Sequence, residues 1–159
     1  MTVDEYLIGI GKIVGNLQSL ELMIRIFLAD AHGQAMTFPT AKDLNTRVPV
    51  TYLTNRDSLG PLIDEFNAGL SAAENQHKVD RTIVDLRDAL AHGRVSTLDQ
   101  YPLQLFKCGW ESGGTVEIEV FLTLDKAWID QSVQRTRDAL KGVATLSLAR
   151  GYPSFKSFS

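Results

Sequence analysis

The sequence has few of the residues and motifs on which disulfide, metal or cofactor chemistry depends. Cys108 is the single cysteine among 159 residues, so the chain cannot form an internal disulfide. The three histidines, His32, His77 and His92, lie far apart in sequence, and there is no Cys-x-x-Cys pair. A glycine-rich phosphate loop and a Gly-x-Ser-x-Gly elbow are also absent. Zinc sites, P-loop nucleotide hydrolysis and serine hydrolase chemistry are therefore poorly supported, and we predict no metal and no cofactor.

Long hydrophobic runs are scarce as well. The longest, from Leu22 to Ala29, contains Arg25 and falls short of the roughly 20 apolar residues that span a bilayer. Asp4 and Glu5 stand where a secretory signal would carry basic residues. We therefore expect a cytoplasmic protein without a membrane segment. The length, with 44% hydrophobic and 22% charged residues, is typical of one globular domain, and we predict a single domain over residues 1-159.

Positive charge is limited overall but unevenly distributed. The net charge is -3, whereas nucleic-acid-binding domains usually carry a basic surface. After Trp128, however, the only acidic residues are Asp130 and Asp138. The cations of this region are Arg135, Arg137, Lys141, Arg150 and Lys156. They form either a local basic surface or a solvated helix face whose cations favour the C-terminal end of the helix dipole.

Apolar residues at alternating spacings of three and four predict four long helices. The first runs from about residue 3 to residue 31 and ends at Gly33, and the second begins near Pro61. The third follows a break near residues 77-80 and ends at Gly93, and the last covers about residues 125-148. The predicted fold is mainly α: a four- to five-helix bundle with a β-hairpin inserted before the last long helix.

The hairpin is predicted from two apolar stretches, Leu103 to Cys108 and Val116 to Leu122, which flank the turn Ser112-Gly113-Gly114. Its apolar face is expected to pack on the helices or on a second subunit. The segment from Gly33 to Ser58 is interpreted as a functional loop or as a loop that contains a short helix.

Two smaller features have simple interpretations. Gly9, Gly11 and Gly15 would weaken an isolated helix, so we expect them where a neighbouring helix approaches the backbone closely. The aromatic tail, residues 151-159, is interpreted as a frayed terminus, with docking on a partner as the alternative.

The third predicted helix carries the most reactive set of side chains. At about 100° per residue, its apolar stripe leaves a polar face opposite. That face carries Arg81, Asp85, Asp88 and His92. Asp88 precedes His92 by four residues and is placed to orient the imidazole. Arg87 is about 140° from His92, so the two converge on one phosphate only if the last turn loosens at Gly93 or a second copy faces the first.

The segment from Arg87 to His92, Arg-Asp-Ala-Leu-Ala-His, resembles the signature of the HEPN family. In that signature a polar residue follows the Arg, and the His comes after four to six positions, at the end of the third helix of a small bundle. The resemblance implies a helical bundle, frequent dimerisation that forms a composite cleft, and in many members metal-independent RNA cleavage in toxin-antitoxin or phage-defence systems.

The motif itself covers six residues, and the similar helical layout covers about 120. Two positions depart from the family pattern. Asp88 replaces the common Asn, and Arg94 stands where a toxin subgroup has a modifiable Tyr, so modification of such a Tyr is not supported.

The resemblance implies catalytic roles for Arg87, Asp88 and His92. For a ribonuclease we further predict substrate binding by Arg94, Arg137 and Lys141, with Glu21 as an acid close to the cleft. The predicted partners are RNA, a second copy of the chain, and an antitoxin or regulatory protein.

Other interpretations stay open. Arg25 and His32 also have an Arg-x6-His spacing, and we interpret them, with Glu21, as a solvated ion-pair stripe. His92 also has a purely structural interpretation as an alternative to catalysis. It would then be a helix-end residue followed by Gly93, which supplies a left-handed cap. The competing functions are an endoribonuclease, a non-catalytic module that binds a nucleotide, RNA or protein, and a subunit whose hairpin edge pairs with another chain.

Overall fold

The computed structural model describes residues 2-96 and 102-156. These residues form two compact units, and both long helices contribute to both units. The first unit contains residues up to 17 and residues 82-137, and the second contains residues 18-81 and those from 138 onward.

The described residues form five α-helices and one three-stranded antiparallel sheet. The helices are α1 (Val3–Ala31), α2 (Leu59–Ala68), α3 (Thr82–His92), α4 (Lys126–Ala149) and α5 (Pro153–Lys156). The strands are β1 (Arg94–Ser96), β2 (Leu103–Cys108) and β3 (Ile118–Leu124), in the order β1-β2-β3. The prediction of a mainly helical bundle with a hairpin before the last long helix is confirmed.

Short 3-10 helices account for two irregular regions of the second unit. The segment between α1 and α2 contains one at Ala41–Asp43. It is a short helix of the kind predicted for the segment from Gly33 to Ser58, whose position the sequence pattern did not indicate. The second replaces the end of the predicted second helix, because α2 stops at Ala68 and a new turn, Ala72–His77, begins. Ser71 and Glu74 cap that turn, since the Ser71 backbone N–H donates to Glu74 Oε2 at 2.9 Å.

The core of the first unit lies beneath the inner face of the sheet. Residues of α1, α3, α4, β2 and β3 share it. They include Tyr6, Ala89, Leu103, Leu105, Leu124 and Ile129, all less than 10% exposed. β1 adds a third strand to the predicted hairpin and pairs with β2 through Arg94 opposite Phe106. Periodicity could not reveal β1, because three residues are too few to show an alternation.

The second unit is centred on Phe27 of α1. Its ring lies edge-on to Phe66 at 4.7 Å and to Tyr152 at 5.1 Å between ring centroids. The Arg150 guanidinium lies 5.0 Å from the Phe27 ring centroid and donates to both carboxylate oxygens of Glu74, at 2.9 and 2.7 Å. Arg150 is therefore a packed structural residue and not part of a solvated basic surface.

The start of the aromatic tail is ordered. Phe155 of α5 is 4% exposed, and the Ser154 hydroxyl donates to Asp30 at 2.8 Å. The interpretation as a frayed terminus is therefore wrong for residues 153-156, and residues 157-159 lie outside the described part of the chain.

By length and composition, α1 qualifies as a helix that could cross a membrane, and 28% of its apolar window is buried. The expectation that no segment approaches a membrane span is therefore not supported for α1. The core helix of a soluble protein passes the same test, so the cytoplasmic location stays a prediction.

The three glycines of α1 have different surroundings. A Cβ on Gly9 would lie 2.4 Å from Cγ2 of Ile129, so close helix approach explains this residue as predicted. Gly11 and Gly15 have nothing within 4 Å of such a Cβ, so the same explanation is wrong for them among the described residues.

Gly9→Ala is expected to destabilise the protein by about 1–3 kcal/mol, because the new methyl group collides with Cγ2 of Ile129, and this β-branched side chain is buried and cannot move aside freely. Gly11→Ala, the matched control on the same helix, is expected to stabilise it by about 1 kcal/mol through helix propensity alone. Urea denaturation measures both. A loss of stability in Gly11→Ala would mean that its open face is covered.

Glu74 gives the second unit an acid-sensitive contact. Hydrogen bonds from Arg150, and then from Ser71, lower the pKa of Glu74 from 4.5 to about 2. Since the folded-state pKa lies below the unfolded value, the carboxylate stabilises the fold above pH 4.5 and loses this effect as the pH falls toward 2.

Wild-type protein should therefore lose stability more steeply between about pH 5 and pH 2 than Glu74→Gln, which should be less stable at neutral pH. The measurement is the free energy of unfolding in urea at several pH values. The exposed Glu111→Gln serves as a control and should follow the wild type. Parallel curves for wild type and Glu74→Gln would contradict the assignment.

Candidate functional site

The C-terminal turn of α3 remains a regular helix up to the end of the motif. The backbone N–H of Gly93 donates to the carbonyl oxygen of Ala89 at 2.8 Å, which continues the helical hydrogen-bond pattern through His92. The last turn therefore does not loosen. Arg87 and His92 stay about 140° apart around the helix axis, so one α3 does not bring both to the same phosphate.

Gly93 has a steric role that differs from the predicted one. A Cβ there would lie 2.2 Å from the Ala89 carbonyl oxygen and 2.7 Å from Leu105 Cδ2. Its φ is not positive, unlike that of Gly33 at +63°. The left-handed cap is thus confirmed at Gly33 and wrong at Gly93, where glycine is needed because β2 passes close to the end of α3.

Asp88 contacts Arg87 and not His92. Its Oδ1 lies 2.7 Å from Arg87 Nη1, with the two side chains 37% and 29% exposed. The expected Asp88–His92 hydrogen bond is not formed. His92 is exposed and has no hydrogen bond or ion pair with any described residue, so its imidazole is accessible from solvent.

Two residues beside this turn were not predicted from the sequence. Lys107 of β2 forms an ion pair with Glu119 of β3, with 2.9 Å between Nζ and Oε2. The hydrogen bond to Glu119 raises the pKa of Lys107, and the charges of Asp88 and Asp85 add to the shift. A cation thus lies near the acidic face of α3. One sequence signal could have identified Lys107. It lies at an alternate position of β2 from Leu103 and Leu105, so it shares the inner face of the strand with these two residues.

The predicted substrate-binding cations lie in different places. Arg94 is exposed on β1, two residues after His92. Arg137 lines a groove of about 480 Å³ formed by residues of α1 and α4, together with Lys12 and Lys126. No α3 residue lines this groove, so Arg137 is not brought together with the motif. Lys141 is exposed on α4 in the second unit.

Arg81 does not share a helix face with the motif. α3 begins after it, at Thr82, and Arg81 forms an ion pair with Asp64 in the second unit. The predicted polar face of α3 is thus reduced to Asp85, Asp88 and His92.

Arg25 and Glu21 form a structural site in the second unit. Arg25 is only 8% exposed, so the interpretation as a solvated stripe is wrong. Its guanidinium donates to Glu21 at 2.9 Å, to the Tyr52 carbonyl oxygen at 2.7 Å and to the Asp57 carbonyl oxygen at 2.5 Å. Glu21 is therefore the partner of Arg25, which anchors the loop before α2 to α1.

His32, the other residue of this Arg-x6-His pair, also packs on the loop. Its ring stacks on Tyr52 with 5.5 Å between centroids, and Nε2 lies 3.2 Å from Glu65 Oε1. The Tyr52 hydroxyl donates to the same carboxylate, and this hydrogen bond raises the pKa of Tyr52 to about 12. Arg25 and His32 therefore both hold the loop in place.

Among the described residues, no group of three or more His, Cys, Asp or Glu side chains is placed to hold a metal ion. Comparisons with protein families, curated proteins and solved structures find no match to this chain. The resemblance to the HEPN family thus stays a prediction that rests on the motif and the helical layout.

Replacing Arg25 with methionine tests its anchoring role. Arg25→Met keeps the apolar stem but leaves Glu21 and two carbonyl oxygens without their donor, so we expect a loss of about 2–4 kcal/mol in the free energy of unfolding. The matched control is Arg56→Met, at an exposed position of the same loop, which should change stability by less than about 0.5 kcal/mol. Equal stabilities of the two variants would contradict the role.

Proposed function

We propose that this protein is a metal-independent endoribonuclease of HEPN type that acts as a toxin or phage-defence effector in the cytoplasm. The observation that carries the proposal is the accessible His92 at the end of α3, on the same helix as the Arg87–Asp88 ion pair. The motif resemblance supports the same conclusion, with the whole chain as one HEPN-like domain.

The reaction needs two proton transfers and one stabilising charge. A base removes the proton from a ribose 2′-hydroxyl, the 2′-oxygen attacks phosphorus, and the bond to the departing 5′-oxygen breaks as an acid protonates that oxygen. A cation stabilises the charge that develops on the phosphate oxygens. The products are a 2′,3′-cyclic phosphate and a 5′-hydroxyl. Imidazole suits both proton transfers, and guanidinium suits the charge.

A single motif supplies one His and one Arg, on sides of α3 that diverge. Two copies related by a two-fold axis would supply two of each, so that His92 of each copy takes one proton-transfer role and Arg87 binds the phosphate. Asp88 then holds the Arg87 guanidinium through the 2.7 Å ion pair. This positioning role replaces the predicted orientation of His92.

The partners in this proposal are RNA as substrate and a second copy as the other half of the site. An antitoxin or regulatory protein that covers His92 would control the activity, in keeping with the toxin-antitoxin setting that the motif resemblance implies.

One observation favours a second candidate, a non-catalytic module that binds a nucleotide, RNA or protein. The ion pair with Asp88 neutralises the Arg87 guanidinium and weakens its attraction for a phosphate. In such a module His92 would contribute to binding without cleavage, while Arg87 would stay paired with Asp88.

Purified wild-type protein should cleave mixed-sequence RNA in the presence of EDTA and leave 2′,3′-cyclic phosphate ends. His92→Ala and Arg87→Ala should each lower the rate at least about a hundredfold, since each removes a group that acts on the reacting atoms. His77→Ala and Arg56→Ala are matched controls away from the motif and should cleave at the wild-type rate. Intact binding without cleavage would favour the non-catalytic module.

The rate as a function of protein concentration tests the shared site. Below the dimer dissociation constant, cleavage should increase with the square of the protein concentration and become linear once dimers predominate. A linear dependence throughout, with mass measurements showing monomers, would contradict the composite site.

A further inference from the structure

The outer face of the sheet carries an unusual row of side chains. Arg94 of β1 lies opposite Phe106 of β2, which lies opposite Phe121 of β3. Directly opposed residues of antiparallel strands point to the same face, with about 5 Å between their Cβ atoms. One guanidinium and two aromatic rings therefore stand side by side across all three strands.

A second row, two residues along each strand, is entirely polar. Ser96 lies opposite Gln104, and Gln104 lies opposite Thr123. These side chains share the face of the aromatic row, because side chains alternate between faces along a strand. The outer face thus combines an aromatic row with a row of hydroxyl and amide groups.

The aromatic row is not explained by the core of the first unit. The inner face of the same strands carries Leu105 and Leu124, which are 1% and 0% exposed, whereas Phe121 is 59% exposed. Phe106 is half-buried, and Arg94 is exposed without an ion pair to any described residue. The ring of Phe121 and the charge of Arg94 are therefore available to a ligand.

We propose that this outer face, defined by the rows Arg94–Phe106–Phe121 and Ser96–Gln104–Thr123, is a binding platform for single-stranded RNA. Unpaired bases stack on the two phenylalanine rings, and the polar row binds base edges or ribose hydroxyls. Arg94 binds a phosphate. The inference rests on the proposed ribonuclease function and deepens it by naming the form of the substrate.

The position of the platform in the chain links it to the proposed site. Arg94 follows His92 by two residues, and Gly93 between them is held against Leu105. A strand of RNA that stacks on the two rings with a phosphate at Arg94 therefore runs toward the end of α3.

RNA fits the composition of this face better than a protein partner does. Protein interfaces also favour aromatic residues and Arg, but they are depleted in Ser and their buried core is mainly apolar. Here the polar row, Ser96–Gln104–Thr123, lies two residues from the two neighbouring rings, and Phe106 lies next to the Arg94 charge, so hydrogen-bonding and charged groups border the apolar area. Flat apolar rings bordered by hydrogen-bonding groups match the faces and polar edges of unpaired bases in RNA.

The test measures the binding of a fluorescently labelled oligouridylate by anisotropy, with the full-length chain carrying His92→Ala so that the RNA is not cut. In this background, Phe121→Leu should weaken binding about tenfold, because leucine keeps an apolar side chain but offers no ring for stacking. Phe38→Leu is the matched control, since Phe38 is 46% exposed in the loop before α2. Arg94→Gln should weaken binding and reduce the salt dependence by about one phosphate contact. Duplex RNA should compete poorly.

Three results would overturn the platform. The first is equal RNA affinity of Phe121→Leu and Phe38→Leu, and the second is that no variant binds oligouridylate. The third is that Phe121→Leu has a smaller molecular mass in solution than the wild type but the same RNA affinity, which would identify the face as a surface for a second copy. Because binding is measured without His92, a failure to cleave RNA would not affect the result. Cleavage by wild type with unaffected binding in Phe121→Leu would keep the proposed function and remove the platform alone.

Discussion

The candidate site depends on the absence of a side chain at Gly93. Any Cβ there would collide with the Ala89 carbonyl oxygen and with Leu105, which is buried in the core of the first unit. The end of α3 and the middle of β2 are therefore fixed against each other. Because β1 starts at the next residue, the same contact also sets where His92 and Arg94 leave the core.

Much of the fold follows from apolar periodicity. α1 and α4 are each long enough to repeat their pattern several times, and their bounds agree closely with the predicted ones. Elements that depend on contacts with other elements were not predictable in this way. β1 is defined only by its pairing with β2, and the 3-10 helix after α2 is defined by the Ser71–Glu74 cap.

The candidate site was predictable in part. The residues of the motif could be named from the sequence, and the angle between Arg87 and His92 follows from helix geometry alone. Their partners could not be named, because Asp88 has both Arg87 and His92 within reach and sequence spacing does not choose between them. Lys107 and Glu119 meet across two strands, and their contact requires the register of the sheet.

Arginine serves two purposes in this chain, which spacing patterns cannot separate. Arg25 and Arg150 are enclosed by carboxylates and carbonyl oxygens and hold segments of the second unit together. Arg94 is exposed and keeps its charge available. The Arg-x6-His match at Arg25 is therefore structural, and burial and the number of acceptors around each guanidinium are what distinguish the two classes.

The hairpin gives α3 a support that a bundle of helices alone would lack. Its inner face completes the core beneath α3, whose last turn keeps regular helical hydrogen bonds, so Arg87 and His92 stay on different sides of the helix. The outer face of the sheet carries the exposed ring of Phe121 on β3 and, two residues after His92, the Arg94 cation on β1. Under the proposed function, groups next to the turn must position the RNA, because one α3 does not bring Arg87 and His92 to the same phosphate. The outer face of the sheet is then the nearest surface in sequence with side chains suited to unpaired bases.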